Sequence, residues 1–503
     1  MNISHITKNY NFLITVIISM LLCFYVNTQG QTKTNLNISL SNIIDSLSLC
    51  APMAKIENLN FENELLQFSN YKKGFLPSLS VNTSPFNFNR SIVKLQDAES
   101  GLYNYVEDYS SNSSFGITIQ QKILFTGGIL SMSSNMNYLN ELSEKRHTFN
   151  SAPFSINYSQ KLFGNGKMMR LEKTIEYKRN EARIKQYCIN ISNIQQKSLT
   201  FFMDALISNL EKELATTSKT ATDSLYLIAK IKFNNNRITE SELKQVELQA
   251  INNQYLEENA IKKYNDAINN MLTFLGILNE YNQISIETPE FKLPLHIDMD
   301  IVKYYIKKNN PKSINKEIQL LEAKKNLSSS ILQNKFNADI NLSYGTNKYG
   351  NNFFDVYSNP SRQQAVSISF SIPVSIWGVN RNNERIARNN YLSNLINIEQ
   401  ELGEFENSVN QKINNYNHSV NLWFIAERSF ILSKEQYNLV IQEFIMGRTS
   451  VYELISSQQE QYSAMQKYYN AVKSTWENYF YLRELTLYDF EKKLELSDIL
   501  VND

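Results

Sequence analysis

Apolar residues recur at every seventh position from Leu395 to Phe444: Leu395, Leu402, Val409, Tyr416, Trp423, Phe430, Tyr437 and Phe444, with Ile398, Phe405, Ala426 and Val440 on a companion seam. A seven-residue repeat sustained this long marks a helix that packs along one seam, as in a coiled coil. It predicts one helix from about Arg381 to Phe444, on the order of 95 Å at 1.5 Å per residue. After Gly447 the spacing resumes in Gln458, Tyr462, Met465, Tyr469, Val472, Trp476 and Tyr479, so a second helix is expected to return antiparallel to the first. The first half of the chain repeats the plan more loosely, outward from Leu171 to Phe233 and back through Ile261, Tyr264, Ile268, Met271 and Leu275.

The two turnarounds share their wording. Residues 233–243 read FNNNRITESEL and residues 444–454 read FIMGRTSVYEL, 211 positions apart, which indicates a tandem duplication. Gly447 suits the positive φ of a helix C-terminus and Asn236 is the next-best residue for it. Thr239 and Ser450 are placed to cap the returning helices, with Glu242 and Glu453 in their first turns. Pro52 aligns with Pro311, FLPSLSVNTS from Phe75 with FNADINLSYG from Phe336, and FSINYSQKLFGNGK from Phe154 with VSISFSIPVSIWGVN from Val366. The offset falls between the second and third of these alignments, so residues 89–152 carry an insertion in the first half.

Between the helical stretches the period changes to two. Phe115, Ile117, Ile119, Ile123 and Phe125 alternate with Thr118, Gln120 and Lys122. Phe154, Ile156, Tyr158 and Leu162 alternate with Ser155, Asn157, Ser159 and Lys161, and Val366, Ile368, Phe370, Ile372 and Val374 with serines. Such two-faced strands suit a soluble sandwich, and equally a barrel with lipid outside and water inside. The N-terminus, with Lys8, an apolar run from Phe12 to Phe24 and small or polar residues near Thr28 and Gly30, has the layout of a secretory signal peptide cleaved near Gly30; an uncleaved anchor is the alternative. Leucines before Cys23 argue against a lipoprotein signal. Leader and helix length together favour the barrel. One chain has too few strands to close it, so the barrel is expected to be shared between protomers.

Composition narrows the function. The 503 residues carry a net charge of +1, 42% hydrophobic residues, 9 Pro and 14 Gly, which excludes a disordered chain and gives no basic excess for nucleic acid. Beyond the leader only Cys50 and Cys188 remain, and Cys188 lies on an apolar stripe with Ile184 and Ile191, as a packed thiol would. His5, His147, His296 and His418 have no metal-ligand spacing. Gly164-Asn165-Gly166-Lys167 lacks the phosphate-loop pattern and reads as a strand-to-helix turn, and Asp298 and Asp300 read as a helix start. No nucleophile, base and orienting acid assemble, so no enzyme, cofactor or metal site is expected. The acidic stretch after Tyr488 reads as a partly ordered tail.

The order helix, strands, long helix, tip, long helix, performed twice behind a leader, resembles the TolC-like outer membrane efflux family. The segments that carry the resemblance are NNP at Asn309 to Pro311, FLPSLS and FNADINLS, SIPVSIWG before a long helix, and the tips NRITESEL and MGRTSVYEL. The Asn-rich wording and the insertion are similar to the Bacteroidetes branch. The resemblance implies an α+β membrane protein with a signal peptide over 1–30, a first repeat over 31–288 with its tip at 234–239, a second over 289–490 with its tip at 446–450, and a tail over 491–503. It implies a homotrimer whose strands pool into one outer membrane β-barrel embedded in lipid and whose helices form a hollow periplasmic coiled-coil cylinder. Substrates would arrive from a periplasmic adaptor protein and an inner membrane pump of the RND, ABC or MFS type, in drug efflux or type I secretion. Asn236, Arg237, Ile238 and Thr239, with Gly447, Arg448, Thr449 and Ser450, would be the adaptor-docking residues, Arg237 and Arg448 also being placed for a tip-locking ion pair or simply solvated. Glu453 falls where some members carry a constricting aspartate, while Ser456 stands where a second acid is expected. Glu453 and Glu242 are the candidate gate residues: in a symmetric trimer Glu453 would form a cation-binding ring, or face solvent as a helix-start carboxylate.

Four strand-like runs in the first half, Leu79 to Phe88, Phe115 to Phe125, Leu130 to Tyr138 and Phe154 to Phe163, stand against two in the second. If all span, three chains supply on the order of 18 strands; the Ser-, Asn- and Tyr-rich wording favours an accessory hairpin instead. The competing class is a surface structural or adhesive coiled coil without transport.

Overall fold

The computed structural model of the chain describes residues 36–96, 101–142, 145–277, 284–287, 293–333, 337–371 and 377–496. The expected leader, Ile372 and Val374, and the end of the tail lie outside them. The elements in chain order are β1 (Leu36–Ile38), a short helical stretch α1 (40–50), α2 (Pro52–Lys73), β2 (Ser78–Gln96), β3 (Tyr103–Lys122), β4 (Ile129–Glu141), β5 (Arg146–Lys161), α3 (Asn165–Asn234) and α4 (Glu240–Leu275). There follow β6 (Ile284–Ile286), α5 (Met299–Asn309), α6 (Pro311–Gln333), β7 (Asn337–Gly350), β8 (Ser361–Ser371), α7 (Val379–Met446), α8 (Val451–Thr486), β9 (Tyr488–Asp489) and β10 (Leu494–Glu495). The chain divides into two compact units. One comprises residues 1–62, 182–313 and 401–503, the other 63–181 and 314–400.

The second unit is built on one antiparallel sheet in the order β2-β3-β4-β5-β7-β8. β3 and β4, which the insertion supplies, lie in its middle. They are not an accessory hairpin folded aside: β3 pairs with β2 and β4, and β4 with β5, over most of their lengths. The strands also differ from their expected bounds. β2 and β3 run on as a paired extension past Ser110, where β4 ends its pairing at Glu141, and Ile92, Tyr103 and Tyr105 in this extension are exposed. β3 stops at Lys122, short of Ile123 and Phe125, because Ile123 and Gly128 close a turn, with Ile123 N donating to Gly128 O at 2.8 Å and Gly127 at φ 72°. Gly164, at φ 76°, makes the strand-to-helix turn into α3, and the Asn165 amide donates to Gly127 O at 2.5 Å. The register brings the start of β2, the end of β5, the start of β7 and the end of β8 to one end of the sheet, so all four helical connections leave from that end.

In the first unit α3, α4, α7 and α8 enclose a long apolar core. Phe202, Met203 and Leu206 meet Ile268, Met271 and Leu275, together with Val409, Ile413, Tyr416 and Trp423 and, from α8, Val472, Trp476 and Tyr479. The heptad positions Val409, Tyr416, Trp423, Tyr437 and Phe444 are buried, while Leu402 stays exposed, because the repeat dictates which face is apolar and not what covers it. The NNP motif has a direct physical role. The side-chain amides of Asn309 and Asn310 donate to Thr486 O (3.2 Å) and Leu485 O (2.8 Å), carbonyls that the C-terminus of α8 leaves without helical partners, while Asn310 Oδ1 accepts from Lys312 N at the start of α6.

The segment read as a tail is folded as far as residue 496. β9 and β10 form a hairpin whose Leu496 and Leu487 bury Cys188, and burial raises that thiol to about 12. Its acidic wording hides a buried ion pair: Arg483 Nε lies 3.1 Å from Asp489 Oδ2, both side chains nearly inaccessible.

Candidate functional site

The two hairpin tips are the sites singled out in the sequence, and they have the same backbone. At the first, Asn236 N donates to Phe233 O (2.9 Å) and Arg237 N to Lys232 O (2.8 Å); at the second, Gly447 N donates to Phe444 O (3.0 Å) and Arg448 N to Glu443 O (2.9 Å). This pair of bonds is the Schellman closure of a helix, with the left-handed residue at its pivot. Asn236 has φ 55° and Gly447 φ 77°. The returning helices start alike. Thr239 accepts from Glu242 N and Ser450 from Glu453 N, each at 3.2 Å.

The carboxylates at the two starts are held differently. Glu242 accepts from both the N–H (2.7 Å) and the hydroxyl (2.9 Å) of Thr239, completing a capping box that holds its carboxyl below the usual range. Glu453 is exposed and accepts from the Thr449 hydroxyl at 2.5 Å. Asn236, Arg237, Thr239, Gly447, Arg448 and Ser450 are exposed, and Thr449 is half-buried. Ile238 instead turns inward onto a small core of Leu225, Val246, Tyr437, Val440, Phe444 and Leu454, which joins the ends of both hairpins.

Among the described residues neither Arg237 nor Arg448 makes an ion pair. The tie between the tips is Lys232, which no local pattern singles out. Its ammonium donates to the carbonyl of Phe444, at the C-terminus of α7, and sits 4.4 Å from the centre of that residue's ring. Burial and the neighbouring Arg237 push its pKa down. Further from the tips the helices carry polar contacts in their seam. Asn253, nearly inaccessible, donates to Thr222 Oγ1 at 2.7 Å, Gln249 donates to Gln458 at 3.0 Å, and buried Glu211 pairs with Lys263 at 2.6 Å. Gln458 stood in the apolar spacing of α8; burial with polar partners explains its place there. Next to the second tip, Ile445, Met446 and Tyr452 are largely exposed, an apolar rim that heptad counting leaves out.

Residues 314–486 match the family model described as outer membrane efflux protein. That stretch holds most of α6, the strand pair β7 and β8, and the whole second hairpin with its tip. The stretch is similar to an outer membrane efflux protein domain. The fold of the full chain is that of the TolC-like channels. It is similar to the Campylobacter jejuni CmeC outer membrane channel, at 13% identity and a TM-score of 0.63, covering 94% of this chain and 93% of the other. The open state of the Neisseria gonorrhoeae MtrE outer membrane channel gives 14% identity, a TM-score of 0.58 and coverage of 91% and 93%. The Vibrio cholerae outer membrane protein VceC gives 9%, 0.61, 89% and 95%. No curated protein matches the chain by sequence. The efflux domain match falls on the second repeat, and the channel fold embraces both.

Proposed function

We propose that three copies of this chain form an exit duct in the outer membrane, with the helices in the periplasm, that receives substrates from an adaptor protein and an inner membrane pump and releases them outside. The observation that carries the reading is the joining of two unlike parts. A sheet with one apolar face has too few strands to close alone, and long helical hairpins end in two tips with the same backbone. An adhesive coiled coil has no use for matched tips.

In this reading Arg237 and Arg448, with Asn236, Thr239, Gly447, Thr449 and Ser450, form the docking surface for the adaptor, Ile238 anchors the first tip from within, and Ile445, Met446 and Tyr452 add apolar contact. Glu453 is the carboxylate best suited to a constriction, because Glu242 is taken up by its capping box. The pump is of the RND, ABC or MFS class, and substrate choice belongs to it.

The test is to purify the mature chain from membranes in detergent, measure its mass, and record single-channel currents in a planar bilayer, alongside export from cells lacking the gene. A conducting trimer whose loss abolishes export is expected. A monomer, or a trimer that passes no current, would overturn the duct and favour the surface coiled coil.

A further inference from the structure

We infer that all six strands of the large sheet cross the membrane, so that three copies close an 18-stranded barrel in which β8 of each copy pairs along β2 of the next. The inference rests on the trimeric duct proposed above and deepens it, since it sets the bore of the exit.

Length is the first requirement. A membrane strand needs about 9–11 residues when tilted. β3 and β4, the two inserted strands, have 20 and 13 residues, and the shortest of the six, β8, has 11. All six are therefore long enough to cross, and the stretch over which β3 and β4 pair, Ser110–Lys122 against Ile129–Glu141, is 13 residues long.

The register supplies the second argument. Following partners across the sheet, Leu79 stands beside Ile119, then Met132, Ile156 and Tyr344. One step away on the opposite face, Ser80 stands beside Thr118, then Ser133, Ser155 and Gly345. The apolar face therefore passes through the inserted strands without changing sides, and so does the polar one. A one-residue slip in either inserted strand would have exchanged the faces. The apolar face is bare: Leu79 is 68% exposed and Val366 73%. The polar face is built of Ser, Thr, Asn and Gln, as a water-filled lumen requires.

Third come the edges. β2 and β8 are the outermost strands of the sheet. Because the sheet has six strands, each antiparallel to its neighbours, β8 runs opposite to β2, and a rotated copy presents β2 to β8 in antiparallel sense. The pairing is head-to-tail and closes by rotation. With strands about 4.8 Å apart and tilted about 40°, the barrel is roughly 36 Å across at the backbone, against roughly 24 Å if only four strands per copy took part.

Single cysteines in β3, in a background with Cys50→Ser and Cys188→Ala, test this in membranes holding the trimer. Thr118→Cys and Gln120→Cys should react with a water-soluble maleimide, while Ile117→Cys and Ile119→Cys should react at least tenfold more slowly and take up a lipid-soluble maleimide instead. Cysteines scanned along β8 against β2 should give a crosslinked trimer. Equal aqueous labelling at all four β3 sites in a conducting trimer would overturn the 18-stranded barrel and leave the duct standing. A monomeric protein would overturn both. A strand count from electron microscopy of the trimer gives the same decision without substitutions.

Discussion

Replacing Arg483 with Met removes one charge from a buried pair and leaves the other. The Asp489 side chain is 7% exposed and cannot recover water without opening the C-terminal hairpin. It keeps three donors, the Tyr479 hydroxyl (2.7 Å) and the N–H groups of Glu491 and Lys492 (3.0 Å each), while Arg483 loses its contacts to Asp489 and to Gln195 (3.0 Å). Breaking a buried pair from one side costs about 3–5 kcal/mol. The three surviving donors place this case near about 3 kcal/mol, or roughly a hundredfold in the opening equilibrium of residues 487–496. Hydrogen exchange read by mass spectrometry on the peptide containing Leu496, whose N–H donates to Leu487 O at 2.8 Å, measures that equilibrium directly. Exchange should accelerate by about that factor in Arg483→Met and return most of the way in Arg483→Met/Asp489→Leu, where neither charge remains. Acceleration of less than threefold, or a double variant worse than the single one, would refute the assignment of this ion pair as the lock on the C-terminal hairpin.

Lys232→Met keeps the aliphatic stem and loses the tie to the Phe444 carbonyl; if the proposed duct closes at its tips, at about 1 kcal/mol net it should raise the open probability of the reconstituted trimer about fivefold, with unchanged conductance. The Glu242 carboxyl is held below its usual 4.5 by two bonds from Thr239, so the stability it adds is present above pH 4.5 and lost as pH falls through its folded value. The protection factor of the Leu243 amide, its exchange rate divided into the intrinsic rate at the same pH, should therefore fall on acidification below pH 4.5, and Thr239→Ala should lower it at neutral pH while removing the acid step. Gly447→Val forces a β-branched residue to φ 77° and should cost about 1–2 kcal/mol, seen as faster proteolysis at the second tip. Cys188, buried and shifted up to about 12, should take maleimide only after denaturation.

The long seam and the tips were legible because they rest on local chemistry. Seven-residue spacing, a Gly or Asn at the pivot and a Thr or Ser before a Glu each act within a turn or two of the chain. Lys232 was not legible. A lysine near a helix end has no distinctive context, and its acceptor lies 212 positions away. Alternation in β3 and β4 marked them as strands but not as central ones, because period two reports faces and says nothing of neighbours. In the stretch after Tyr488 composition hides the buried pair, since Asp489 reads as a solvated acid until Arg483 is seen beside it.

Because every helical connection leaves the sheet at one end, the sheet can change only by whole hairpins. In the barrel inferred above, a single added strand would deliver α3 to the far side of the bilayer. A pair returns the chain where it left, keeps the edges antiparallel, and leaves the tips untouched. If the barrel inferred above holds, its bore can change only in steps of two strands per copy, with the backbone closures of both tips left as they are.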